Sequence, residues 1–115
     1  MKIRSIIGYK LDGHTPVPMY MENLHEWGQW FETFDRHVRL TEFDNGDRVS
    51  TVFLGIDHSF HGGTPILFET MIFGGPHDGY QERYETWDDA VLGHINALLM
   101  YFEREELNKF YVEKN

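Results

Sequence analysis

Seven side chains able to do chemistry fall in the middle and later parts of the chain: Asp57, His58, His61, Glu69, His77, Asp78 and His94. A carboxylate next to an imidazole is the smallest set that can take up a proton at one point and release it at another. The same groups supply the oxygen and nitrogen ligands of divalent metals. The acid–base candidates are Asp57, His58, Glu69 and His94, and a metal would draw on His58, His61 and His94. Each also has a structural reading. Asp57-His58 before a glycine-containing loop makes a turn cap, Glu69 can pair with Arg83 on the next strand, and His94 can hydrogen-bond a loop carbonyl. The structural readings weigh more, because the spacings match no known metal or catalytic signature. No catalytic residue is assigned, and no cofactor is expected, a divalent metal being the alternative.

A second group, Arg83, Tyr84 and Trp87, has the chemistry of a ligand pocket, with aromatic faces on which a base would stack beside a cation for phosphate. Few other basic groups stand near it in the sequence. His61-Gly62-Gly63 and Gly74-Gly75-Pro76 resemble phosphate-cradling loops in glycine content alone, since no helix or lysine follows them. The chain has no cysteine, which removes thiolate ligands, thiol nucleophiles and disulfides together.

The elements that must position these groups follow from periodicity and turn chemistry. Residues 2–11 read as a strand, and Pro16 and Pro18 confine 15–19 to an extended edge segment. Residues 22–34 read as a short helix capped by Asn23, with Leu24, Trp27, Phe31 and Phe34 as its apolar stripe. Strands are expected over 37–43, 49–57, 65–74 and 80–85. Asn45-Gly46 as a two-residue hairpin turn would place Leu40 opposite Thr51 and Val38 opposite Phe53. Thr86 caps a long helix running from Trp87 to at least Phe102, whose buried stripe is Trp87, Val91, Ile95, Leu98 and Phe102. The fold class is α+β: an antiparallel meander of about four strands plus an N-terminal strand, with one short and one long C-terminal helix. It forms a single domain over residues 1–115.

The meander's central strand reads apolar on both faces. If both helices lie on one side, Val52, Leu54 and Ile56 would be left exposed, and a homodimer would cover them.

Apolar residues at 41% and aromatics at 16% are too many for a disordered acidic tail. The net charge of −9 argues against a protein that holds nucleic acid through lysine and arginine, so no direct DNA binding is expected. It suits a basic protein partner. The first eight residues are too briefly apolar for a signal peptide, and no stretch suits a membrane span.

The central motifs VSTVFLGIDH over 49–58, LFETMIFGG over 67–75, QERYETW over 81–87 and GH at 93–94 resemble a family of small acidic bacteriophage and prophage proteins of unknown function. The resemblance covers roughly residues 20–97. It implies a phage protein made in the bacterial host cytosol and brings no activity with it. The function expected is a small acidic binding protein acting stoichiometrically on a host protein or complex, such as an anti-CRISPR-like inhibitor of host defence. The alternatives are a small metal-binding or acid–base enzyme built on Asp57, His58, Glu69 and His94, or a sponge for a nucleotide signal. The missing catalytic signature weighs against an enzyme.

Overall fold

The computed structural model describes residues 5–60 and 62–114, with side chains as far as Phe102. Strands β1 (Ile6–Asp12) and β2 (Thr15–Tyr20) form an antiparallel two-stranded sheet of their own. Pro16 and Pro18 are tolerated there, because every strand of a two-stranded sheet is an edge. A single 3₁₀ turn, Met21–Asn23, leads into helix α1 (Leu24–Thr33). Strands β3 (His37–Glu42), β4 (Arg48–Phe53), β5 (Phe68–Phe73) and β6 (Gln81–Tyr84) form an antiparallel sheet in sequence order. Helix α2 (Trp87–Lys114) closes the chain. The α+β meander with a short and a long helix is thus the architecture, with the N-terminal strand paired to β2 and outside the meander.

The β3–β4 connection corrects the expected register. The Phe43 carbonyl accepts from the Gly46 amide at 3.0 Å, and the Phe43 amide donates to the Asp47 carbonyl at 2.9 Å. The loop is therefore three residues, Asp44-Asn45-Gly46, with Gly46 at φ +92°. A tight turn whose last residue is left-handed is the usual three-residue hairpin solution. Leu40 consequently faces Ser50 and not Thr51. A slip of one residue moves a side chain to the other face, and Leu40 is exposed. An irregularity between His37 and Arg39 then turns Val38 back inward, where it is buried against Phe53.

The inner face of the sheet carries Val49, Phe53, Phe68 and Ile72, all fully buried, with Thr51 and Thr70 between them. Both helices feed this side. Trp30 of α1 meets the Phe53 ring edge-on at 6.0 Å between centroids, and Ala90 of α2 is buried in the same cluster. Trp27 of α1 ties to the hairpin by donating Nε1–H to the Tyr9 carbonyl at 3.0 Å.

On the outer face Leu40, Ser50, Val52, Glu69, Met71 and Phe73 alternate apolar with polar, and the end of α1, at Phe31 and Glu32, comes beside it at Val52. Such a face is the normal wet side of an antiparallel sheet. Leu54 and Ile56 lie beyond the end of β4, so the continuous Val52-Leu54-Ile56 strand face does not form.

Two helix details also depart from expectation. Asn23 makes no side-chain cap; it closes the 3₁₀ turn at φ −104°, ψ 16°, outside the extended backbone that a capping residue adopts. At the two ends of α1, Leu24 and the following Phe34 are exposed, and Trp30 is the α1 side chain that packs against the core. In α2 the side chains nearest the sheet are small or polar: Ala90, Gly93, His94 and Ala97, followed by Tyr101. Trp87, Val91 and Leu98 of the expected stripe pack against the core at its margins, whereas Ile95 is exposed and Phe102 is half-exposed with its ring against Phe43. At Gly93 the helix backbone comes too close to Tyr84 for any side chain. A Cβ on Gly93 would sit 2.0 Å from the Tyr84 hydroxyl oxygen.

Candidate functional site

The sheet separates the polar residues that sequence spacing grouped. Glu69 points from β5 to the outer face, where its carboxylate accepts from Arg83 Nε at 2.9 Å and from the Gln81 amide. Register dictates this pair, since Glu69 and Arg83 are direct cross-strand neighbours. Asp57 is a turn cap. Its Oδ1 accepts from the backbone amides of Ser59 at 2.8 Å and Ile66 at 2.9 Å, pinning both ends of the 58–65 loop. His58 is half-buried, and its backbone amide donates to the Ile66 carbonyl. Asp78 caps the next loop by accepting from the Gly74 amide at 2.7 Å, and His77 offers its carbonyl to the Tyr80 amide. His61 lies outside the described residues.

His94 occupies the opposite side of the sheet from Glu69. It is 3% exposed, with Nδ1 2.8 Å from the Thr51 hydroxyl and Nε2 2.9 Å from the Thr41 hydroxyl. Thr51 in turn lies 2.6 Å from Thr70. One proton ordering satisfies the whole row: Thr70 donates to Thr51, Thr51 to Nδ1, and Nε2–H to Thr41. A buried imidazole with both nitrogens engaged has no lone pair left for a metal or a substrate. Burial, with the nearby Arg39 charge as a smaller cause, holds the His94 pKa below the ordinary histidine value. His94 therefore bonds threonine hydroxyls where sequence reasoning expected a loop carbonyl. Thr51 and Thr70 were missed because alternation alone does not say that an inward threonine will meet a histidine from a distant helix.

Among the described residues, no group of three or more histidine, aspartate or glutamate side chains is placed to hold a metal ion. The Asp57, His58, Glu69 and His94 set is thus not assembled into one centre.

Of the Arg83, Tyr84 and Trp87 group, Arg83 and Tyr84 line one hollow between β6 and α2, and Trp87 stands outside it. Arg83 faces outward to Glu69. Tyr84 faces inward, its hydroxyl buried outside hydrogen-bond geometry. Burial raises the Tyr84 pKa, and the neighbouring Thr70 hydroxyl offsets this in part. Trp87 is stacked by His14 of the β1–β2 turn, with ring centroids 3.9 Å apart and planes within 6°. That stack occupies one face of the indole.

The surface feature that sequence reasoning placed wrongly is on α2. Leu92, Ile95, Leu99 and Phe102 are 60, 47, 55 and 50% exposed. Their three-four-three spacing puts them on one helical face; Leu92, Ile95 and Leu99 lie away from the sheet, and Phe102 closes the row at its flank with its ring edge-on to Phe43 at 5.7 Å. A hollow of about 380 Å³ runs beside the first turns of this stripe, between α2 and the edge strand β6. Ile66, Arg83, Glu85, Asp89, Leu92 and Asn96 are among the residues lining it. A larger concavity of about 440 Å³ lies on the outer sheet face, where Leu40, Phe43 and Phe73 mix with Glu42, Asp47 and Arg48. The Arg48 guanidinium already covers the Phe73 ring at 4.2 Å. The helix stripe is therefore the more apolar of the two surfaces.

No helix among the described residues is long and apolar enough to cross a membrane. Comparison with protein-family models, with curated proteins and with solved structures finds no match.

Proposed function

We propose that the chain is a small acidic binding protein that acts stoichiometrically on a host protein or complex. The observation that carries this reading is helix α2, which is apolar on two sides. One side is buried on the sheet, and the other leaves four large apolar side chains about half exposed. A helix apolar on both faces is normally covered on both. The stripe presents roughly 400 Å² of apolar surface, the scale at which a patch on a single chain signals an interaction site. The charge of −9 favours a basic surface on the partner through complementary potential. The phage setting, the bacterial cytosol and a role in blocking host defence rest on the motif resemblance of residues 20–97.

The acid–base enzyme reading draws less support, since Glu69 and His94 lie on opposite faces of one sheet and each is already engaged. The test is affinity capture from a bacterial lysate at low and high salt, with the unaltered chain and the Leu99→Asp variant side by side. A partner retained at 1:1 ratio by the first and lost by the second supports the reading. Turnover of a substrate by the purified chain, undiminished in Leu99→Asp and lost in Glu69→Gln, would replace it with the enzyme.

A further inference from the structure

We infer that the outer face of α2 docks a basic amphipathic helix of the partner, laid along Leu92, Ile95, Leu99 and Phe102 with its cationic flank against Glu85, Asp88 and Asp89. The inference rests on the binding-protein reading and specifies the chemistry of the partner. The helical form of the occupant follows from spacing. Four side chains at three-four-three intervals make a straight ridge about 15 Å long at 1.5 Å per residue. Such a ridge is the complement of another helix, whose own side chains enter the spaces between these four. The 380 Å³ hollow alongside, walled by Leu92, Asn96 and Ile66, admits the larger side chains of that helix.

The basic character follows from charge. Glu85, Asp88 and Asp89 are exposed at the start of the ridge, and among the described residues no ion pair engages any of them. Arg83, the cation lining the hollow, is taken by Glu69 on the far side of β6. The sequence after the ridge reads Glu103-Arg104-Glu105-Glu106, again acidic on balance. A second copy laid parallel fits poorly for the same reason, since Asp88 and Asp89 would meet their own counterparts. Like charges brought together across an interface oppose association, whereas lysine and arginine on the partner would be attracted to this end of the ridge.

The test uses the full chain and a labelled synthetic peptide of about 20 residues, long enough to form a helix on binding. The peptide carries leucine and isoleucine at three-four spacing and lysine on both flanks, and a scrambled peptide of identical composition is the control. Fluorescence anisotropy at moderate salt is expected to show the patterned peptide bound at least about tenfold more tightly than the scrambled one. Leu99→Asp and Ile95→Asp should each weaken the patterned peptide by about tenfold or more, with circular dichroism unchanged because both side chains are already in water. The Asp88→Asn, Asp89→Asn pair should weaken it several-fold and flatten its salt dependence.

Equal affinity for the two peptides, or binding indifferent to Leu99→Asp, would overturn the inference. So would sedimentation showing a particle of twice 13.6 kDa that Leu99→Asp reduces to one, since the ridge would then be filled by a second copy. Lysate capture separates this inference from the broader reading. A host protein retained equally by the unaltered chain and by Leu99→Asp leaves the binding protein standing and removes the ridge as its site. Patterned-peptide binding as expected, with no host protein retained, keeps the ridge and removes the host-protein reading.

Discussion

Replacing Gly93 by alanine tests the close seat of α2 on the sheet, because the result changes sign with the geometry. At an exposed position inside a helix, glycine to alanine stabilises by about 1 kcal/mol through backbone entropy. At Gly93 the new methyl would fall 2.0 Å from the Tyr84 hydroxyl oxygen, 2.1 Å from Cζ and 2.4 Å from Cε1. Turning the ring about Cβ–Cγ cannot relieve this, because Cζ and the hydroxyl oxygen lie on that axis. Tyr84 is held by β6 pairing on one side and by the helix on the other. Either the ring leaves its rotamer or α2 lifts from the inner face and pulls Ala90, His94 and Ala97 with it. Overpacking of this kind costs about 1–3 kcal/mol, which outweighs the propensity gain. The expected outcome for Gly93→Ala is a net loss of about 2 kcal/mol by urea unfolding, with a fall in Tm on the order of 10 °C. Gly28 in α1 supplies the internal control, since nothing lies within 4 Å of its added Cβ. Gly28→Ala should therefore stabilise by about 0.5–1 kcal/mol in the same assay. Tyr84→Ala combined with Gly93→Ala should be less damaging than the sum of the two single changes. A Gly93→Ala variant as stable as, or more stable than, the unaltered chain would refute the close helix–sheet contact.

The remaining predictions concern single interactions. Thr86→Ala should cost about 1 kcal/mol in urea unfolding, because Thr86 Oγ1 accepts from the Asp89 amide at 3.1 Å and α2 begins at the next residue. Glu69→Gln should cost about 1 kcal/mol, at the top of the range for an exposed pair, since Glu69 is mostly covered and Arg83 is about one-third exposed; a change near zero would mean the pair adds nothing to stability. His94 gives a pH signature. Its folded pKa lies below the unfolded value, so the unfolded chain takes up the proton first as pH falls. Stability from this group should be full above the ordinary histidine pKa of about 6.5 and be lost as pH drops through that value toward the folded pKa. Unfolding free energies measured from pH 7.5 to 5, compared with His94→Gln, should show a steeper acid loss in the unaltered chain, and parallel curves would contradict the assignment.

The amino-acid order by itself determined the element sequence. Alternation, proline and glycine placement, and the Thr86 cap are local signals, and each acts within a few residues of where it is read. The cap at Asp57, and the Glu69–Arg83 pair once neighbouring strands were assumed, were legible for that reason. Tertiary structure alone decided three things. The Asp44-Asn45-Gly46 loop used three residues in place of two, and that single step moved Leu40 from the core to water. The close approach of α2 to Tyr84 selected Ala90, Gly93, His94 and Ala97 as the inner line, which turned Ile95 outward, left Phe102 at the flank against Phe43 and created the exposed ridge. Periodicity finds the apolar lines on a helix but cannot choose which of two adjacent lines meets the sheet, because that choice depends on the distance between backbones. His94 met Thr41 and Thr51 across 53 and 43 residues of sequence, and put the sheet between itself and Glu69. Which face of a strand a polar residue occupies is fixed by register. Register is set by turns and irregularities elsewhere in the chain, so the dispersal of the Asp57, His58, Glu69 and His94 group was a property of the fold and not of the spacing.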